Sequence, residues 1–154
     1  MLNASIVLYH HSIDTIKPLV ETLRASNLIS DIFLIDNSQS PNADFEKLPV
    51  TYIFTGKNLG YGAGHNIAMR ETLKKNVPYH LVVNPDVAFE PEILKKIVDF
   101  MDKNTNIGLL MPKVFYPDGE IQYLCKLLPT PFDLIFRRFL PQSWTRKQTE
   151  KFEM

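Results

Sequence analysis

Three short apolar runs without polar alternation constrain this chain most. Ala4–Tyr9 (A-S-I-V-L-Y), Asp31–Asp36 (D-I-F-L-I-D) and Tyr79–Val83 (Y-H-L-V-V) each run straight into a polar turn. A strand covered on both faces reads this way, because neither side needs to meet water. Val50–Thr55 is expected as a further strand. Between the runs lie patterns of helical period: Ile13, Ile16, Leu19, Val20 and Leu23, then a segment from about Asn66 to Lys75, then Ile93, Leu94, Ile97, Val98 and Met101. Alternating strand and helix predicts an α/β fold, a mainly parallel open sheet with helices on both faces.

The boundaries follow from local chemistry. Asp14 is the expected N-cap of the first helix, which places Pro18 in its first turn, and Asn27 is the expected stop. Glu90-Pro91-Glu92 opens the last helix with acids and a proline where free N–H groups favour them. Gly108–Pro112 is expected as a fifth strand, and Phe115–Tyr123 as a hairpin turning at Pro117-Asp118-Gly119. From about Pro129 the composition changes: Phe132, Ile135, Phe136, Phe139 and Leu140 share a segment with Arg137, Arg138, Arg146 and Lys147. We divide the chain into residues 1–128 and a basic amphipathic segment, 129–154. That segment suits an anionic membrane surface, a protein partner, or docking as a terminal helix.

A length of 154 residues is that of one domain with a real core, and a net charge of zero argues against a nucleic-acid partner. The single cysteine excludes an intrachain disulfide. No apolar run reaches the length of a membrane span, and no basic leader opens the chain, so the expected location is cytoplasmic.

Chemistry is expected where the strands end, since ligands of open α/β sheets sit outside the carboxyl edge. Asn84-Pro85-Asp86 follows the fourth strand and places one carboxylate there, a fitting handle for Mg²⁺ or Mn²⁺ bridging a diphosphate; plain turn chemistry is the alternative. Asp36 ends the second strand, able to accept from a ribose or a base N–H, or to cap the next turn. Tyr9 ends the first, able to stack on a base or to close the strand. The loop Asn58–Asn66 carries Gly60, Gly62 and Gly64, which permit close backbone approach to an anion or a ring edge, or a tight turn. It is not a dinucleotide fingerprint: His65 stands where the last glycine should, and the loop follows the third strand. No Walker motif occurs, and the four histidines form no metal set.

Taken in order, Ile6–Tyr9, Ile35-Asp36-Asn37-Ser38, Asn58-x-Gly60-x-x-x-Gly64-x-Asn66, Asn84-Pro85-Asp86 and Pro112-Lys113-x-x-x-Pro117-Asp118-Gly119 resemble the amino-terminal part of family 2 glycosyltransferases, most of all rhamnosyltransferase-like members that build bacterial surface polysaccharides. The resemblance covers residues 4–123. It implies a GT-A fold and inverting transfer of a sugar from a dTDP- or UDP-linked donor to a glycan or lipid-linked acceptor. By position, Tyr9 and Asp36 would line the base and ribose, and Asn58 and Gly60 would pack beside the nucleotide. Asp86 would contact Mg²⁺ or Mn²⁺ in a degenerate D-x-D motif whose first position is Asn84. Where relatives often carry asparagine after the first strand, His10 and His11 stand here. The family's catalytic base lies beyond the donor-binding half, and nothing from Pro129 onward resembles its acid-rich stretch. The expectation is therefore a fold incomplete at its carboxyl end: a fragment of an enzyme, peripheral at most on the inner face of the membrane, or a truncated module that binds nucleotide sugar without turnover.

Overall fold

The computed structural model describes residues 1–122, in two compact units of which the first is Met1–Gly108 and the second begins at Leu109. The first holds β1 (Leu2–Leu8), α1 (Ile13–Ala25), β2 (Ile29–Asp36), a 3-10 turn (Ala43–Lys47), β3 (Thr51–Phe54), α2 (Tyr61–Lys74), β4 (Tyr79–Val82) and α3 (Glu92–Lys103). Its four strands are parallel, in the order β3-β2-β1-β4.

β1 is central and buried along its whole length. Alternate side chains of a strand face opposite ways. Leu2, Ala4, Ile6 and Leu8 join Ile16, Leu19, Val20 and Leu23 of α1 and Leu94 and Val98 of α3 in the larger core. Val7 packs with Phe33, Ile35 and Ala68 of α2 on the opposite face. Asn3 and Ser5 share that second face and are fully buried, so α2 covers a surface that is part polar.

Several boundaries differ from expectation. α1 begins after Ser12 rather than Asp14, so Pro18 lies inside the helix. The helix continues because its apolar stripe is buried against the sheet, which outweighs one lost backbone bond. α2 begins at Tyr61, five positions before the expected Asn66, taking Gly62 and Gly64 into its first turn. A Cβ on Gly64 would lie 2.8 Å from Cγ2 of Val7, so the glycine lets α2 settle on β1. α2 ends in a Schellman turn: Asn76 has φ 53°, its N–H bonds to Leu73 O, and the Val77 N–H bonds to Thr72 O.

The second unit, as far as residue 122, holds the expected hairpin, β5 (Val114–Phe115) against β6 (Ile121–Gln122), turning through Gly119 at φ 88°. The strand expected at Gly108–Pro112 does not form. It has no ladder partner among the described residues, and Pro112 offers no N–H. The basic amphipathic segment 129–154 lies outside the described residues. Among the described residues no helix is long and apolar enough to cross a membrane.

Candidate functional site

The parallel register brings the carboxyl ends of the strands to one rim. Leu8 aligns with Asp36 and Asp36 with Phe54, while β4 ends lower, Val82 aligning with Ser5. Asn37, part of the Ile35–Ser38 motif but given no role of its own there, fastens the turns of that rim. Its N–H bonds to Leu8 O at 2.9 Å and its Nδ2 donates to Gly60 O at 3.1 Å. Its place in that motif and the run of small polar residues after Asp36 are the signals that pointed to it.

Tyr9 is exposed on the rim, edge-on to His10 at 4.2 Å. β1 stops before it, and His10 adopts φ 58° with its N–H bonded to Ser38 Oγ. Asp36 is 1 % exposed. Its Oδ1 accepts from the Ser38 N–H at 2.9 Å and its Oδ2 from the Tyr52 hydroxyl at 2.7 Å. The carboxylate therefore holds the turn and the neighbouring strand and does not stand open to a ribose. Burial, reinforced by the bond to Asp36, pushes the Tyr52 phenol up to about 12. Asn58 caps its own loop, Oδ1 accepting from the Gly60 N–H, and Gly60 itself has φ 81°.

Asn84 and Asp86 are exposed beyond β4. The turn is rooted by the Val83 N–H on Ser5 O at 3.1 Å and closed by the Val87 N–H on Asn84 O at 3.3 Å. Tyr61 donates from its hydroxyl to Asn84 Oδ1 at 2.7 Å. Burial, and then the charge of Asp86, raise the Tyr61 phenol above its usual range. Asp86 lines a cavity of about 190 Å³ with Pro85, Val87 and Ala88, opposite Thr15, Pro18, Leu19 and Thr22 of α1. Among the described residues no cation pairs with Asp86, and no group of three or more metal-ligating side chains occurs. A single free carboxylate on an open rim suits a cation that takes its remaining ligands from phosphate and water, which is how Mg²⁺ is commonly held.

Beneath the rim lies a buried polar chain. Ser5 Oγ sits 2.7 Å from both His65 Nδ1 and His80 Nε2, and His80 Nδ1 is 2.7 Å from Thr72 Oγ1. Asn3 Nδ2 donates to Thr72 Oγ1, closing the chain against β1. Burial lowers both histidines to about 4, and at His65 the charge of neighbouring His80 adds to the effect. Thr72 gives its proton to Ala68 O, so neutral His80 donates to Thr72 from Nδ1 and accepts the Ser5 proton at Nε2, while His65 donates to Ser5 from Nδ1. These two histidines, which the sequence reading placed in no metal set, are joined through Ser5 by the packing of α2 on the sheet.

The sequence model of Glycosyl transferase family 2 matches residues 5–149. The chain belongs to this family. It is 26% identical over 135 residues to the low-salt glycan biosynthesis hexosyltransferase Agl10 of Haloferax volcanii, covering 86% of this chain and 42% of that protein. The crystal structure of S. aureus TarS shares the fold with a TM-score of 0.51 at 17% identity, covering 75% of this chain and 24% of TarS. The chain thus spans less than half the length of either relative. Its parallel sheet, covered by helices on both faces, is the GT-A type that the family resemblance implied.

Proposed function

We propose that the chain forms the donor-binding part of a glycosyltransferase that moves a sugar from a dTDP- or UDP-linked donor to a glycan or lipid-linked acceptor with inversion. Rhamnose is the expected sugar, and surface polysaccharide synthesis the expected setting. The observation that carries the reading is Asp86: an exposed carboxylate without a cationic partner among the described residues, on the carboxyl rim of a family 2 domain. Tyr9, Asn58, Gly60 and Asn84 form the proposed nucleotide surface, with Asp36 shaping it from beneath. Asp86 would hold Mg²⁺ or Mn²⁺, which when bound supplies positive charge against the departing diphosphate. Asn84 would face the same group, and the buried Val83 at the base of the turn anchors both side chains. The reading assigns no general base.

Calorimetric titration of the full chain with UDP and with dTDP, with Mn²⁺ and with chelator, tests this. Asp86→Ala should remove the metal-dependent part of binding; equal binding by wild type and variant in Mn²⁺ defeats the assignment. Mass spectrometry of donor turnover separates a transferase from a binding module, because the module binds without consuming donor.

A further inference from the structure

Tyr61 ties two parts of the rim that are far apart in sequence. It is the first residue of α2, directly after Gly60, and it remains 53 % exposed. Its hydroxyl reaches Asn84 Oδ1 across a separation of 23 residues. Its ring stands at 72° to the His65 ring with centroids 4.4 Å apart. His65 is 2 % exposed and held by Ser5, whose carbonyl accepts the Val83 N–H at the root of the same turn. The contacts therefore form a closed circuit: turn to Tyr61, Tyr61 to His65, His65 to Ser5, Ser5 back to the turn. An exposed tyrosine set in such a circuit is not placed there by burial of its ring, since half of the side chain meets solvent.

The circuit also fixes what Asn84 presents. An asparagine has one acceptor oxygen and two N–H donors. With Oδ1 already accepting from the Tyr61 hydroxyl, the N–H groups are the part of the side chain left without a partner among the described residues. N–H groups suit an anion and cannot ligate a cation.

We infer that Tyr61 is a positioning residue that holds the Asn84-Pro85-Asp86 turn and orients Asn84 as a hydrogen-bond donor to the phosphates of a nucleoside diphosphate, leaving Asp86 as the only side chain of the turn for a metal. The inference rests on the donor-site reading above, and it divides the labour of the motif: Asn84 takes phosphate, Asp86 takes the cation. Binding through Asn84 then persists without metal, whereas binding through Asp86 does not.

The test uses full-length Tyr61→Phe, Asn84→Asp and Asp86→Ala proteins, UDP and dTDP as ligands, calorimetry with Mn²⁺ and with chelator, and hydrogen exchange at the Val87 amide without ligand. Tyr61→Phe removes one hydroxyl and keeps the ring on His65. It should weaken nucleotide binding about five-fold both with and without Mn²⁺, the equivalent of one hydrogen bond, and speed Val87 exchange by a similar factor. Asn84→Asp exchanges donors for a second carboxylate. It should weaken metal-free binding about ten-fold while strengthening Mn²⁺ binding. Unchanged Val87 exchange in Tyr61→Phe overturns the clamp. Faster exchange with unchanged affinity overturns the positioning role. If Asp86→Ala binds normally in Mn²⁺ while Tyr61→Phe is weakened, the metal reading fails and the clamp stands. Should wild type bind neither nucleotide, the donor-site reading fails, and with it the role of Asn84.

Discussion

Lowering the pH from about 7.5 to about 5 should destabilise this protein through two buried histidines, and the size of the effect follows from their surroundings. His65 and His80 flank one hydroxyl, Ser5 Oγ, beneath α2, and burial holds each at about 4. In the unfolded chain a histidine titrates near 6.5. Between about 4 and 6.5 the unfolded state therefore binds more protons than the folded one, and stability rises with pH across that window. The stabilisation is complete above about 6.5 and is lost as pH falls toward 4. At pH 5 an unfolded histidine is almost fully charged while a folded one is mostly neutral, worth about 2 kcal/mol each. Water reaching His80, which is only partly buried, reduces this, so the pair should contribute about 2 to 4 kcal/mol. Urea unfolding followed by circular dichroism at several pH values measures it. Replacing both histidines by glutamine should lower stability at pH 7.5 yet flatten the dependence between pH 7.5 and 5, a range above most carboxylate titration. A wild-type free energy constant within about 0.5 kcal/mol over that range, or an equal slope in the double variant, refutes the reasoning.

Other outcomes follow from single contacts. Gly64→Ala sets a methyl 2.8 Å from a stiff Val7 side chain, and should cost about 1–2 kcal/mol after the gain in helix propensity, read by urea denaturation. Tyr52→Phe leaves Oδ2 of buried Asp36 without its hydroxyl partner and should cost about 1–3 kcal/mol in the same assay. Ile16→Ala opens the core under α1, with an expected loss of about 2–5 kcal/mol; a loss below about 1 kcal/mol would mean that α1 does not seal that face.

Much of the fold was legible because burial on two faces leaves a plain signature. β1, β2 and β4 were read from uninterrupted apolar runs, and α1 and α3 from stripes at helical spacing. The start of α2 was not, because glycines read as a loop when considered singly. Gly64 is helical since α2 must approach Val7 closely, which is a fact about the sheet rather than about the glycine. The expected strand at Gly108–Pro112 failed for the converse reason: apolar residues make a strand only beside a partner. At the site, Asp86 is exposed beyond β4, while Asp36 performs the turn-capping role that was its alternative and Asn58 caps its own loop, which the sequence had not suggested. Tyr61 escaped notice and Asn37 was given no role of its own, since their partners Asn84 and Gly60 each lie 23 residues away.

The sequence alone determined which segments must be hidden from water, and hence an alternating parallel sheet with its chemistry at one edge. Only the tertiary structure decided which polar side chains at that edge stay free. Asp36 ends β2 and Asp86 follows β4, yet one is consumed by Ser38 and Tyr52 and the other faces solvent. A side chain's neighbours across strands are set by register and helix packing, which local sequence does not encode. The same packing brings Ser5, His65 and His80 within hydrogen-bond reach from positions 60 and 75 residues apart.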